Sequence, residues 1–214
     1  MFSLSNRLHA GEELSRKIPL EDRQNTIIFA IPKGGIPVAV STAHQYNVPL
    51  KVLLCKKIYA PASTKIGIGT LLPDGNVLLN KDVISFLGIT RHDINQCIKE
   101  ATVAFAQYEQ EFKIYIEVPD LNGKVAVIID DGIASGFTVL GALNVIRQRN
   151  PKHVIVATPV CSSIAIEILK SCGVEFIYLK SSDSTAFLVD DFYLEFDEVS
   201  FEQAHACLAS SIGG

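Results

Sequence analysis

The chain has 214 residues, of which 48% are hydrophobic and 20% charged, so it is long enough to bury one sizeable core. Its formal net charge of -4 gives no positive field for a polyanion, so nucleic acid is not expected as the main partner. No uncharged apolar run approaches the roughly 20 residues that a membrane-spanning helix needs. One domain over residues 1–214, with no membrane partner, is therefore expected.

The cysteine pattern bears on the cellular compartment. The five cysteines are odd in number and widely spaced, and no C-x-x-C pair or Cys/His cluster occurs. This pattern predicts neither a zinc site nor a disulfide framework. The first residues carry charges and lack the apolar core of a signal peptide. A reducing, cytoplasmic location is expected.

Several short apolar runs predict the strands of a sheet. They lack the alternation of a half-buried strand, which is typical of strands buried on both faces in a largely parallel sheet. The runs are Thr26–Ile31, Val52–Cys55, Val125–Ile129, His153–Ala157 and Val174–Leu179. Helical patterns lie between most of them, at Gly35–Tyr46, Thr90–Tyr115, Phe137–Arg149 and Ser162–Ser171. The helix at Thr90 starts with a capping-box pattern.

One segment departs from this alternation. The turn sequence Pro73-Asp74-Gly75 separates Lys65–Leu72 from Asn76–Asn80, which predicts a β-hairpin. Alternating strands and helices with this excursion predict a three-layer, doubly wound α/β fold with a mainly parallel sheet. Such sheets bind ligands beyond the carboxyl ends of their strands, so the functional residues are expected there.

The third predicted strand ends in an acidic, glycine-containing string, Asp130-Asp131-Gly132-Ile133-Ala134-Ser135-Gly136-Phe137-Thr138. Two adjacent carboxylates repel each other and burial worsens this, so a polyhydroxylated or cationic ligand would stabilise the pair. The glycines permit tight turns, and the N–H groups that start the following helix form a cradle for phosphate. This combination describes a site for ribose 5-phosphate. A capped helix after an acidic loop is the alternative without function.

Two basic segments follow the first and second predicted strands. Lys33-Gly34-Gly35 combines a point charge with glycines that permit close backbone approach. A Gly-Gly turn is common by itself, so a functional interpretation depends on the neighbouring site. Lys56-Lys57 is a second basic segment. The alternative to a functional role is that both lysines are solvated at the end of a strand.

The string Asp130–Thr138 resembles the signature of type I phosphoribosyltransferases, D-D-x-x-A-[ST]-G-x-T after apolar residues, at every diagnostic position. Lys33–Gly35 resembles that family's pyrophosphate loop. Lys56–Pro61 resembles the start of the mobile loop that closes over the reacting centre. The resemblance covers nearly the whole chain and is nearest to a subgroup without settled base specificity. It implies transfer of the 5-phosphoribosyl group from 5-phosphoribosyl-1-pyrophosphate (PRPP) to a nitrogenous base, with release of pyrophosphate.

The resemblance also implies roles for individual residues. Asp130 and Asp131 would hold the ribose hydroxyls and touch Mg²⁺ through water, since this cation would sit mainly on PRPP oxygens. Lys33 would hold the pyrophosphate, and Lys56 or Lys57 would screen its growing charge. Further contacts with PRPP are implied for Gly34, Gly35, Gly132, Ala134, Ser135, Gly136, Phe137 and Thr138.

The resemblance defines the acceptor base less closely. The 6-oxopurine members usually have an aspartate two residues before the signature glycine, where this chain has Ala134, so hypoxanthine and guanine are not favoured. A small hood over the base is expected from Leu179–Phe196 with some N-terminal residues. Phe187, Phe192 and Tyr193 are equally compatible with base stacking and with the core.

The loops have two further features that can be compared with the family. Some family members have a cis peptide in the pyrophosphate loop, and Pro32–Lys33 is the corresponding bond here. The segment Tyr59–Lys65 has little to bury and should be poorly ordered without ligand.

Two alternatives to a transferase remain open. A PRPP-binding regulatory protein would keep the ribose and pyrophosphate sites without base chemistry. A hydrolase of phosphorylated sugars would need a nucleophile–base pair or a metal triad, which is not visible among the five histidines. The partners expected for the transferase are PRPP and a nucleobase-like acceptor, and the chain is compatible with a homodimer.

Overall fold

Strands and helices alternate over most of the chain in the computed structural model, which describes residues 3–63, 66–184 and 186–211. The elements are α1 (Arg7–Ser15), β1 (Thr26–Ala30), α2 (Gly35–Tyr46), β2 (Leu50–Val52), β3 (Lys56–Tyr59), β4 (Gly67–Leu71), β5 (Val77–Leu79), α3 (Lys81–Phe86), α4 (Arg91–Glu111), β6 (Val125–Ile129), α5 (Phe137–Arg147), β7 (His153–Ser162), α6 (Ser163–Ser171), β8 (Glu175–Ser182) and α7 (Phe201–Ser210).

Five strands form one parallel sheet in the order β2-β1-β6-β7-β8. The last residue of β1, Ala30, lies opposite Val52 of β2 on one side and Ile129 of β6 on the other. After β1 the chain adds β2 on one side of β1, and it later adds β6 on the other side. The crevice beyond β1 and β6 is therefore a topological switch point. The mainly parallel, doubly wound sheet predicted from the sequence is confirmed.

Apolar side chains cover both faces of this sheet. Ile28 and Ala30 belong to a core cluster with residues of α1, α2, α4 and α7. Ile27 and Phe29 belong to a second cluster with residues of α5 and α6. Burial on both faces explains why the strands appear in the sequence as continuous apolar runs.

The second sheet, β3-β4-β5, is antiparallel. The predicted hairpin is confirmed in β4 and β5, whose turn contains Gly75 with a φ of 82°. The prediction that Lys56 and Lys57 begin a loop is wrong, because both lie in β3, opposite Leu71 and Thr70 of β4. The next residue, Ile58, is 0% exposed, and its burial fixes β3 against the core.

The second strand of the main sheet also differs from its prediction. It covers Leu50–Val52 rather than Val52–Cys55. The N–H of Leu53 still donates to Ala30 O at 2.9 Å, but β1 ends there and the chain then turns into β3. Leu53 and Cys55 remain buried, which explains the apolar run without a strand.

The connection between β3 and β4 contains the predicted mobile segment. Within it, Thr64 and Lys65 lie outside the described residues. The N–H of Ala60 donates to Ile66 O at 2.8 Å, and the N–H of Ile66 donates to Ser63 Oγ at 3.1 Å. The ordering of this segment by ligand stays a prediction.

Among the described residues, three helices were not predicted: α1, α3 and α7. The capping box of Thr90 and Asp93 at the start of α4 is confirmed, although α4 ends at Glu111 rather than Tyr115. β7 continues to Ser162, well beyond the predicted end at Ala157, and pairs there with β8. Within the described ranges, every helix is too short or too polar to cross a membrane.

Candidate active site

The two predicted anion-binding segments meet at the switch point. We call Pro32–Gly34, after β1, the Lys33 loop, and Asp130–Gly136, after β6, the acidic loop. Both line one cavity of about 580 Å³. The Pro32–Lys33 peptide bond is cis, as in the family members that have such a bond in the pyrophosphate loop.

Glycine lets the two loops approach each other closely. A Cβ added at Gly34 would lie 2.0 Å from Asp131 Oδ2, and one added at Gly35 would lie 2.7 Å from Ile129 O. A side chain at Gly34 would therefore displace the carboxylate of Asp131, and one at Gly35 would push α2 away from the end of β6. Gly35 itself packs at the start of α2 and does not line the cavity.

The long strand β7 holds the middle of the acidic loop. The N–H of Ile133 donates to Val160 O at 2.9 Å, and the N–H of Ser162 donates to Ile133 O at 3.0 Å. The hydroxyl of Ser162 donates to Ala134 O at 2.5 Å. The loop is thus a continuation of the sheet rather than a free segment.

The end of the acidic loop presents the start of α5 to the cavity. Gly136 precedes the helix with a left-handed φ of 74°. The first N–H groups of a helix have no intrahelical partner and carry the positive end of its dipole. Ser135, Gly136 and Thr138 line the cavity here, whereas Phe137 does not. This wall fits a phosphate group.

The two carboxylates of the acidic loop have different surroundings. Burial raises the pKa of Asp130 well above its ordinary value, and the charge of Asp131 raises it further. The N–H of Asp131 donates to Asp130 Oδ1 at 2.9 Å. Asp131 accepts a hydrogen bond of 2.7 Å from Arg7 Nε, and the two side chains are 11% and 16% exposed. Arg7 therefore compensates the charge of Asp131.

Arg7 is a site residue that the sequence analysis missed. It is the first residue of α1, and it also donates through Nη1 to Asp197 O at 2.7 Å. Its Cζ lies 3.8 Å from the centre of the Phe196 ring. Arg7 and Asp131 are 124 positions apart in the sequence, and no motif links them.

The predicted hood is correct only in part: Leu179–Ser182 belong to β8 of the main sheet, whereas residues after β8 contact the N-terminal segment. The N–H of Leu4 donates to Phe192 O at 3.0 Å, and the N–H of Leu194 donates to Leu4 O at 2.8 Å. Of the three aromatic candidates, Phe187 lines the cavity and Phe192 packs beside it, with ring centres 5.2 Å apart. Tyr193 is 7% exposed and its hydroxyl donates to Asp131 O at 2.7 Å, so it belongs to the core.

Lys33 lies almost buried beside the cavity. Its Nζ is 2.9 Å from Glu198 Oε1, and the two side chains are 12% and 87% exposed. The same Nζ lies 4.7 Å from the centre of the Phe201 ring. The hydrogen bond from Lys33 lowers the pKa of Glu198 below its ordinary value. Glu198, like Arg7, was not predicted from the sequence.

Lys56 and Lys57 both lie in β3 and line the cavity, but their charged neighbours differ. Burial lowers the pKa of both amines. The charge of Lys33 lowers the pKa of Lys56 further, whereas the acidic pair acts on Lys57 in the opposite direction. Lys56 thus belongs to the side of the Lys33 loop, and Lys57 to the side of the acidic loop.

The cavity therefore contains most of the predicted residues. The predicted residues that line it are Lys33, Gly34, Lys56, Lys57, Asp130, Asp131, Gly132, Ala134, Ser135, Gly136 and Thr138.

The family of the chain follows from its similarity to known proteins. Residues 3–175 match the family model of the phosphoribosyl transferase domain. The chain belongs to the phosphoribosyl transferase family.

Similar proteins extend this result. A Mycobacterium tuberculosis protein named "Putative phosphoribosyl transferase" is 26% identical over 97% of this chain, which spans 47% of that protein's length. The crystal structure of TT1426 from Thermus thermophilus is 26% identical, with a TM-score of 0.72 over 97% of this chain and 98% of that one. A ribose-phosphate pyrophosphokinase of Corynebacterium glutamicum is 40% identical over 60 residues, 27% of this chain and 18% of that protein.

The donor groups of this phosphoribosyl transferase domain bear on metal binding. Among the residues that the structure describes, no three His, Cys, Asp or Glu side chains are grouped as a metal cage. The cavity offers the two carboxylates of Asp130 and Asp131, and burial of the first disfavours its charge. This set fits a hard cation such as Mg²⁺ that takes most of its ligands from phosphate oxygens and water.

Proposed function

We propose that this chain is a Mg²⁺-dependent phosphoribosyltransferase, which transfers the 5-phosphoribosyl group from PRPP to a nitrogenous base and releases pyrophosphate. The proposal rests on one observation, which is that an acidic pair and the two segments predicted to bind anions line a single cavity. PRPP has the matching sequence of groups, a phosphate, a ribose and a pyrophosphate. Family membership supports phosphoribosyl transfer in general.

The cavity suggests how PRPP is held. The 5-phosphate would accept hydrogen bonds from the N–H groups at the start of α5 and from Ser135 and Thr138. Asp130 and Asp131 would accept hydrogen bonds from the ribose hydroxyls. Lys33 and the Gly34 backbone would bind the pyrophosphate. Bound Mg²⁺ would neutralise charge on the phosphate oxygens, with Asp130 and Asp131 as its nearest protein carboxylates.

The chemistry breaks the bond between ribose C1 and the pyrophosphate oxygen, and the bonding electrons leave with pyrophosphate. A nitrogen of the incoming base forms the new bond to C1, and the proton that this nitrogen loses passes to water or to the departing pyrophosphate. The transition state places positive charge on the ribose and negative charge on the leaving group, so preorganised cations near the pyrophosphate lower the barrier. Lys33 and Lys56 lie on that side of the cavity. Lys57 and the acidic pair lie on the ribose side, where they orient the sugar.

The acceptor would lie beneath the hood, beside Phe187 and Ala134. Ala134 brings no carboxylate to this place, and its carbonyl already accepts the hydroxyl of Ser162. A carboxylate is what the 6-oxopurine members use beside the base. We therefore expect adenine or a pyrimidine, rather than hypoxanthine, as acceptor.

Pyrophosphate release tests the proposal. The purified chain is mixed with PRPP, Mg²⁺ and each common nucleobase in turn, and pyrophosphate is measured by a coupled assay. Release should require Mg²⁺ and one base, and Asp130→Asn should abolish it. Tight PRPP binding with no release by any base would contradict the transferase and favour a PRPP-binding regulatory protein.

A further inference from the structure

The further inference concerns Glu198 and rests on the proposed pyrophosphate site. Glu198 lies in the segment Glu195–Val199, which joins the hood to α7 and which we call the strap. Its carboxylate contacts the ammonium group of Lys33 at 2.9 Å. This ammonium is the group that we assign to the pyrophosphate, so Glu198 occupies a position that the ligand's own anion would need.

The strap is fixed on both sides of Glu198. The carbonyl of Asp197 accepts a hydrogen bond of 2.7 Å from Arg7 Nη1, and Val199 is 7% exposed. The side chain of Glu198 is 87% exposed and can turn away into solvent while the backbone stays in place. Displacement of Glu198 therefore requires only a change of rotamer.

The surrounding charges make Glu198 and pyrophosphate competitors. Lys33 is 12% exposed and lies over the Phe201 ring, so its ammonium can turn little to meet a second anion. The charge of Glu198 also acts on Lys56, whose pKa it raises. The carboxylate of Glu198 thus interacts electrostatically with both Lys33 and Lys56. A polyanion that reached them beside Glu198 would be repelled at short range.

We propose that Glu198 is a built-in competing anion of the Lys33 loop, which PRPP and pyrophosphate must displace. Without ligand, it pairs with Lys33 and offsets part of the positive charge of the two lysines. It also returns to Lys33 as pyrophosphate leaves, and so favours release of this product. A ligand that ends at the ribose, such as ribose 5-phosphate, does not reach Lys33 and is unaffected.

Calorimetric titration of the full chain with pyrophosphate and Mg²⁺ tests this role. Glu198→Gln removes the charge and keeps the shape, and it should tighten pyrophosphate binding about two- to fivefold at low ionic strength, as expected for loss of one exposed ion pair. The gain should shrink at high salt. Affinity for ribose 5-phosphate should not change. Glu195→Gln is the matched control, because it removes the same charge from the strap at a residue that does not line the cavity.

The outcomes separate this inference from the proposed function. If Lys33→Ala weakens pyrophosphate binding but Glu198→Gln leaves it unchanged or weaker, only the competing-anion role is wrong. An equal gain in Glu195→Gln would also overturn it, as a general charge effect. If pyrophosphate does not bind, or binds without dependence on Lys33, the proposed pyrophosphate site is wrong and the inference falls with it.

Discussion

At the scale of single residues, the two carboxylates of the acidic pair have different electrostatic surroundings. Arg7 compensates Asp131, whereas burial and the neighbouring charge raise the pKa of Asp130. The sequence predicted both carboxylates because they are adjacent and follow a buried strand. It did not reveal Arg7 or Glu198, since their partners are 124 and 165 positions away and neither belongs to a local motif.

The unequal surroundings predict opposite effects on stability for two similar substitutions. The pKa of Asp130 is raised above 3.8, so the folded state binds its proton more readily than the unfolded chain does. The raised pKa therefore lowers the free energy of unfolding. This loss of stability is absent well below pH about 4 and grows as the pH rises through the folded-state pKa. Asp130→Asn removes this loss. It should be more stable than the parent at pH 8 and show no advantage at low pH.

Asp131→Asn should instead destabilise the fold at neutral pH, by about 1–3 kcal/mol, because Arg7 loses a charged hydrogen-bond partner. Urea unfolding of both variants at several pH values measures the two effects. A loss of stability in Asp130→Asn that matches the loss in Asp131→Asn would contradict the assigned asymmetry.

At the scale of elements, the ends of strands decide the geometry of the site. The predicted centres of β1, β6 and β7 are correct, because their apolar runs are buried on both faces. The end of β7 was missed, since Thr158 and Ser162 are buried polar residues that the apolar pattern does not include. Lys56 and Lys57 were expected at the start of a loop because Lys56–Pro61 resembles the family's mobile loop, whereas here both lie in β3 and line the cavity.

Ser162 links β7 to both the acidic loop and α6. Its hydroxyl donates to Ala134 O and accepts from the N–H of Ala165 as the cap of α6. Ser162→Ala should lower stability by roughly 0.5–2 kcal/mol and also weaken PRPP binding, because the acidic loop loses a support. Thr90→Ala removes a comparable cap at α4, far from the acidic loop in sequence, and should lower stability alone. Equal PRPP affinities in the two variants would argue against a role for Ser162 in the loop.

The connection from β3 to β4 is expected to respond to ligand. Of its described residues, Pro61 and Ala62 are both exposed and Pro61 has no N–H, so the amide of Ala62 should exchange rapidly in the free protein. PRPP with Mg²⁺ should slow this exchange, whereas amides in β6 should change little. Slow exchange before ligand, unchanged afterwards, would rule out closure of this segment over the site.

At the scale of the whole molecule, strand order brings distant segments together. The Lys33 loop and the acidic loop are far apart in the sequence, and they meet because β1 and β6 are neighbours in a parallel sheet. This juxtaposition was predictable from the fold class, since a switch point places two strand ends at one crevice. Contacts from the N-terminal helix, the hood and the strap were not predictable in detail, because they depend on packing between segments without periodic patterns.

The most direct measurement for the central claim is calorimetric titration of the chain with PRPP in the presence of Mg²⁺. We expect binding of one PRPP per chain, and we expect Asp130→Asn combined with Asp131→Asn to abolish it while circular dichroism shows a folded protein. Ribose 5-phosphate should bind more weakly than PRPP, because it lacks the group that reaches Lys33. No binding of PRPP to the parent, or equal binding to the folded double variant, would contradict the assignment of this cavity.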